Sequence, residues 1–330
     1  MRRPHCHILA SALLLVTLLA APLAAQAAEP LSVRFSWRLK GEYAAFYLGQ
    51  ERGLFARAGL DVRFGEGAGP QAAVAGLIHG GDDLVVMPGI FAISAIQMGA
   101  PIRIVALYQP QAPVLLVSHA DHPVVRPEQL AGRSLAYSLG EPTTAYLTTF
   151  CGINRIDCGR ITRIIMDSRA RIPYFLQRRV DLISVYRTTD LPVLEDKAGP
   201  LAVLDLAAYG LHIPGMAVVA SERTIAARPQ ALRRFLAATA QAFAATRRDP
   251  LAASRAIQRV WVAGPKPKVV DAQVRATMAT IPAVPGRALG WIDPALVRAG
   301  LELVRRENHS RPAKPIQAFY TNALLPQVQS

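Results

Sequence analysis

The strongest constraint on this chain is a repeated alternation of short apolar runs with helix-length segments. LSVRFSW (31–37), LDVRF (60–64), DLVVM (83–87) and IRIVALY (102–108) read as strands. Each is β-branched or aromatic-rich and is closed by a turn signal. The intervening stretches, Glu42–Arg52, QAAVAGLIHGG and IFAISAIQMG, have helical length, and Pro70 sits near the first turn of the second. Strands that alternate with helices of this length form βαβ units around a largely parallel sheet.

The pattern restarts after residue 112. PVLLVS, SLAY, ITRIIM, VDLISVY and LAVLDL read as strands, separated by the helical segments TTAYLTTFCG, SRARIPYFLQRR and RTTDLPVLEDKAG. GMAVVAS then returns as a strand, and from Glu222 the chain is almost entirely helical, with four long helical patterns. The expected organisation is α/β with two lobes, each a parallel or mixed sheet flanked by helices. Lobe 1 is discontinuous, 28–115 and 215–330, and lobe 2 spans 116–214. The chain then crosses twice between lobes, forming a hinge with a cleft beside it.

Residues 1–27 read as a secretory signal peptide. MRRPHCH is a basic start, ILASALLLVTLLA an apolar run, and Ala25-Gln26-Ala27 a small-residue cleavage motif. The apolar run is shorter than the ~20 residues a membrane span needs. A periplasmic location is therefore expected. The remaining roughly 300 residues suffice for two ordinary domains. Cys151 and Cys158, seven apart in an exported chain, are expected to form a disulfide that closes a small loop.

The net charge of +14 becomes +12 once Arg2 and Arg3 leave. Such an excess invites a nucleic-acid reading, yet the cations are scattered singly on what look like solvated helix faces, with no aromatic-interleaved basic stripe. No nucleic-acid partner is expected. His79, His119, His122, His212 and His309 lack metal-ligand spacing and read as surface or loop residues. Neither a metal nor a cofactor is expected. GEGAG is too short and misplaced for a dinucleotide fingerprint, and no P-loop or Gly-x-Ser-x-Gly motif occurs.

In open parallel sheets ligands bind beyond the carboxyl ends of the strands. Those ends here are Trp37, GAGP, the Pro88-Gly89 turn with Ile90 after it, and Tyr108 in the first lobe. In the second they are SLGEP, with Ser138, Gly140 and Glu141, then Asp167-Ser168, and Tyr186. Trp37 and Tyr43 offer flat faces with polar tips, although Tyr43 can equally pack beneath the sheet, as Tyr47 is expected to do. Glu42 fits the first turn of a helix, where the macrodipole favours an anion. Glu141 suits either that role or hydrogen bonding to an amino-bearing solute. The N–H groups at the helix starts after Gly89 and Gly140 would instead suit an anion.

The run EYAAFYLGQERGLFARAGLDV after Trp37, then GAGPQAAVAGLIHGGDDLVVMPGIFAISAIQMGAPIRIVAL, resembles the solute-binding proteins of ABC importers. RPEQLAGRSLAYSLG, RVDLISVYRTTDLPVLEDKAG and AAYGLHIPGMAVVASERTIAARPQALRRFLAATAQAF continue the likeness in order. The most similar branch binds pyrimidine precursors of thiamine, with binders of alkanesulfonate, taurine and nitrate as relatives. The resemblance implies a type II-like periplasmic-binding-protein fold, a monomer, an ABC permease as partner, no enzymatic activity, and a cleft lined by Trp37 and the turns at 88–89 and 138–141. A fungal relative that makes the pyrimidine consumes its own His and uses a Cys-rich motif. This chain has neither in the corresponding place. A ligand-sensing module of the same fold is the remaining alternative.

Overall fold

The computed structural model describes residues 27–308 and 314–327. His309 and, but for Ala27, the expected signal segment lie outside them. The strands are β1 (Glu29–Phe35), β2 (Leu60–Gly65), β3 (Leu84–Pro88), β4 (Ile102–Leu107), β5 (Val114–His119), β6 (Ser134–Tyr137), β7 (Thr162–Ile165), β8 (Leu182–Tyr186), β9 (Leu201–Asp205) and β10 (Met216–Ser221). They form two five-stranded sheets, ordered β2-β1-β3-β10-β4 and β7-β6-β8-β5-β9. Each sheet with its helices is one lobe.

Both sheets are parallel except for one reversed strand. β10 runs antiparallel to β3 and β4, and β5 antiparallel to β8 and β9. These two strands enter their sheets directly from the crossing segments. The other strands arrive through helices and so run parallel. β3, β5 and β10 are buried along almost their whole length, as expected of strands covered on both faces.

In the first lobe the helices are α1 (Ala44–Glu51), α2 (Leu54–Arg57), α3 (Pro70–His79) and α4 (Gly89–Gln97). In the second they are α5 (Pro142–Asn154), α6 (Ser168–Leu176) and α7 (Asp190–Ala198). The C-terminal part adds α8 (Glu222–Ala227), α9 (Pro229–Arg248), α10 (Pro250–Gln258), α11 (Pro267–Ala279) and α12 (Pro294–Asn308). The segment LFARAG, expected as a turn, contains α2, whose Phe55 packs on Phe235 of α9 with ring centroids 5.5 Å apart. His119 is not a loop residue either, but ends β5 half-buried. Its ring stacks on Phe175 at 4.0 Å, because the end of β5 lies under α6.

The lobes share a core. Ile90, Ile93 and Ile96 of α4, Val297, Leu301 and Val304 of α12, and Tyr146, Leu147 and Phe150 of α5 belong to one buried cluster. α12 therefore acts as a wedge at the back of the molecule, and Glu307 accepts the backbone N–H of Thr149 at 3.1 Å. Beside it the two crossing segments are bonded together. Gly215 N–H donates to Gln109 O at 2.9 Å and Ala112 N–H to Ile213 O at 2.6 Å. The Cys151–Cys158 disulfide joins α5 to the loop before β7, with Cα atoms 5.7 Å apart.

Candidate functional site

The carboxyl ends of β1, β3, β6, β7 and β8 face one another across a cleft of about 1060 Å³. At the end of β1 the chain cannot continue straight, because the Gly67–Gly69 turn crosses it. Gly69 N–H donates to Ser36 O at 2.9 Å. A Cβ on Gly67 would lie 2.3 Å from Phe35 O, so only glycine permits that crossing. The strand end is thereby turned outward, and Trp37 emerges into the cleft 38% exposed.

From the second lobe, Ser138, Leu139, Gly140 and Glu141 form one wall, and Met166, Asp167 and Tyr186 extend it. Gly140 takes φ +80°, which turns the chain from β6 into α5. Thus Trp37, Ser138, Gly140, Glu141 and Tyr186, all expected at the site, are brought together. Four other expected residues are not. Tyr43 is buried, its ring stacked 4.0 Å from Phe35. Tyr108 points away from the cleft and packs 4.7 Å from Phe243. Gly89 and Ile90 lie beneath the second crossing. Gly89 N–H donates to Gly215 O at 2.5 Å and Ile90 N–H to Pro214 O at 3.2 Å. Those helix-start donors are already paired and cannot receive an anion, which corrects the sequence expectation.

Glu42 sits, as expected, in the first turn of a short 3-10 helix, Gly41–Tyr43, that leads into α1, and it does more than face that helix start. It is 5% exposed and accepts from Thr188 Oγ1 at 3.1 Å and Gln109 Nε2 at 3.3 Å, while Lys40 Nζ lies 2.5 Å away. It therefore links both lobes and the first crossing. Lys40, not foreseen as a site residue, lines the cleft with its ammonium 5.1 Å and 5.3 Å from the rings of Tyr43 and Tyr186. Burial alone would lower its pKa. The Glu42 carboxylate and the two phenols outweigh this and hold it well above the ordinary lysine range. Burial likewise pushes Tyr43 up to about 12 despite the nearby Lys40.

Three further lining residues escaped the sequence reading. Arg171 of α6 is 4% exposed and ion-paired to Glu141, with Nη2 3.4 Å from Asp190 Oδ2. Asp190 in turn accepts the Tyr186 N–H at 3.0 Å. Gln273 of α11 accepts the Gly41 N–H at 2.9 Å and donates to Thr189 O at 2.7 Å, joining the lobes across the cleft's edge. The signal for Arg171 was its place four residues before Phe175, on the buried stripe of α6. Trp261, Ala263, Gly264 and Pro265 close the remaining side. There Lys266 and Lys268 both pair with Asp196 of α7, at 3.1 and 2.5 Å.

The floor is nearly balanced in charge. Lys40 faces Glu42, and Arg171 faces two carboxylates, while the further cations Arg38 and Arg169 are exposed at the rim. Among the described residues no group of three or more His, Cys, Asp or Glu could hold a metal ion.

Two lobes, two chain crossings and a cleft at facing strand ends define the generic periplasmic-binding-protein structural fold. The chain belongs to the NMT1/THI5-like family, whose sequence model matches residues 40–253. No curated protein matches the sequence. Among solved structures, it resembles the periplasmic aliphatic sulphonate binding protein SsuA from Escherichia coli at 16% identity, with a TM-score of 0.70 over 92% of this chain and 94% of that one. The alkanesulfonate-binding protein SsuA from Xanthomonas axonopodis pv. citri, bound to MOPS, also has 16% identity, with a TM-score of 0.67 over 92% and 100%. The periplasmic nitrate-binding protein NrtA from Synechocystis PCC 6803 has 13% identity, with a TM-score of 0.66 over 90% and 87%.

Proposed function

We propose that this protein is an exported, non-enzymatic binding protein that captures a small solute between its lobes and hands it to an ABC permease. The solute we assign is a flat, nitrogen-containing ring such as a pyrimidine precursor of thiamine. The observation that carries this reading is the cleft itself. An exposed Trp37 on one wall provides a stacking face, and the turn 138–141 on the other provides polar groups. Closure about the paired crossings sequesters the solute, which binds the closed arrangement better than the open one.

The floor favours a neutral or amino-bearing solute, because Arg171 is flanked by Glu141 and Asp190 and an added anion meets like charges there. A sulfonate or carboxylate solute is the second reading. It is favoured by the exposed rim cations Arg38 and Arg169 and by the named ligands of the structural relatives. Native mass spectrometry of the purified protein, with identification of the co-purifying compound, separates the two. A ring compound supports the first. A small sulfonate or aliphatic carboxylate, with binding unaffected by Trp37→Ala, refutes it. Small-angle scattering should show compaction when the identified solute is added, and unchanged dimensions would refute capture by closure.

A further inference from the structure

At the cleft floor, Arg171 Nε and Glu141 Oε2 have no hydrogen-bond partner among the described residues, and they have opposite requirements. Arg171 Nε is a buried donor and Glu141 Oε2 a buried acceptor. Both residues line the cleft, and they are held to each other by the contact between Arg171 Nη1 and Glu141 Oε1. Arg171 cannot turn away to satisfy itself, since Nη2 is engaged by Asp190, which is fixed by the Tyr186 N–H. Buried polar groups are almost always paired, so an unpaired donor beside an unpaired acceptor marks a place where a visitor must supply both.

We infer that the Arg171–Glu141 pair reads a hydrogen-bonding edge of the solute. The solute presents an acceptor to Arg171 Nε–H and, beside it, a donor to Glu141 Oε2. An amino-substituted nitrogen heterocycle has this edge, with the ring nitrogen accepting and the exocyclic NH₂ donating. A carboxylate or sulfonate satisfies only Nε and sets its charge against Glu141 and Asp190. An alkylammonium satisfies only Oε2 and leaves Nε bare. The pair therefore selects by the order of donor and acceptor, in addition to shape. This inference rests on the ring-binding reading above and specifies which rings are accepted.

The test uses 4-aminopyrimidine and 4-methylpyrimidine, which differ in the donor and little in size, titrated at neutral pH by NMR. Wild-type protein should bind the amino ring about tenfold or more tightly than the methyl ring, because the latter leaves the buried carboxylate oxygen unpaired. In Glu141→Gln, Arg171 Nη1 retains the amide oxygen, so the amide NH₂ takes the place of Oε2. An acceptor becomes a donor, and the preference should disappear or reverse. Equal affinity of wild-type protein for both rings overturns the edge reading and leaves ring binding intact. Binding of methanesulfonate with neither ring binding overturns both. Failure of both rings with no anion bound overturns the edge reading alone, since capture of a solute is judged by the co-purified compound. If Glu141→Gln does not fold, the wild-type comparison still decides.

Discussion

Replacing Gln273 with Met should weaken the fold through two identifiable hydrogen bonds. Gln273 is 3% exposed, and each end of its amide serves a backbone group in a different lobe, the Gly41 N–H at 2.9 Å and the Thr189 carbonyl at 2.7 Å. Met has similar length and volume, so the space left by the change is small. Gly41 packs directly on residue 273, where an added Cβ would lie 2.5 Å from Gln273 Cβ. The substitution thus strands a buried donor and a buried acceptor. Each such loss costs about 1–3 kcal/mol. Water entering from the cleft can reach part of the site, which puts the expected total near ~2–4 kcal/mol. Urea unfolding followed by circular dichroism measures this as a lower midpoint at unchanged slope. Gln273→Glu keeps an acceptor for Gly41 but places an oxygen opposite the Thr189 carbonyl, so it should be no better than Met. A loss below about 0.5 kcal/mol for Met, the range of an ordinary surface change, would refute the claim that this amide ties the lobes together.

Trp37→Ala should weaken binding of the co-purified solute by about 1–3 kcal/mol, as loss of an aromatic anchor does, with little change in stability because Trp37 is 38% exposed. Calorimetric titration checks the first part and thermal melting the second. Cys151→Ser with Cys158→Ser should lower stability by roughly 2–3 kcal/mol from loop entropy, and intact-mass analysis of unreduced wild-type protein after alkylation should show neither thiol modified. Alkaline pH should unfold the protein through its buried phenols. Burial raises Tyr43 and Tyr47 to about 12 and Tyr108, Tyr146 and Tyr186 higher still. The unfolded chain releases these protons near pH ~10 and the folded chain does not, so stability is complete below that pH and falls as pH rises toward the folded values. Absorbance of tyrosinate during a pH titration should show these residues ionising together with unfolding, and early ionisation without unfolding would contradict the packing.

The fold was legible because each strand carries its own punctuation. Apolar runs such as LDVRF and DLVVM are bounded by Gly and Pro, and the helices between them have the length a parallel crossover needs. The reversed direction of β5 and β10 was not legible, since it depends on where the crossings deliver the chain and no local residue encodes it. The site divides the same way. Trp37, Ser138, Gly140, Glu141 and Tyr186 lie at strand ends, where the rule for parallel sheets places a ligand. Tyr108 also ends a strand, yet it faces α9, and its Phe243 neighbour is far along the chain. Gly89 and Ile90 looked like free helix-start donors because the carbonyls that occupy them belong to residues 214–215. Lys40, Arg171 and Gln273 do not lie at strand ends, so the rule for parallel sheets does not single them out, and lobe-to-lobe packing turns them inward.

The order of the first sheet has a consequence for how the chain assembles. β4, residues 102–107, has no neighbour nearby in sequence. On one side it pairs with β10 at 216–221, and on the other the backbone of Ile104 bonds to residues 319–321. The second sheet is drawn wholly from 114–205 and can close by itself. Loop closure must precede non-local pairing, so the first lobe should be the slow one. While β10 is missing, β3 and β4 present open, apolar edges of the kind that recruit other chains. Pulse-labelled hydrogen exchange during refolding should therefore protect the amides of β5 and β8 before those of β4, and the reverse order would show that the first lobe assembles by some other route. A nascent or truncated chain that ends before residue 216 carries every strand of the second sheet and an aggregation-prone first lobe. The residues from 216 onward thus serve as the covering that keeps β3 and β4 from pairing with the wrong partner.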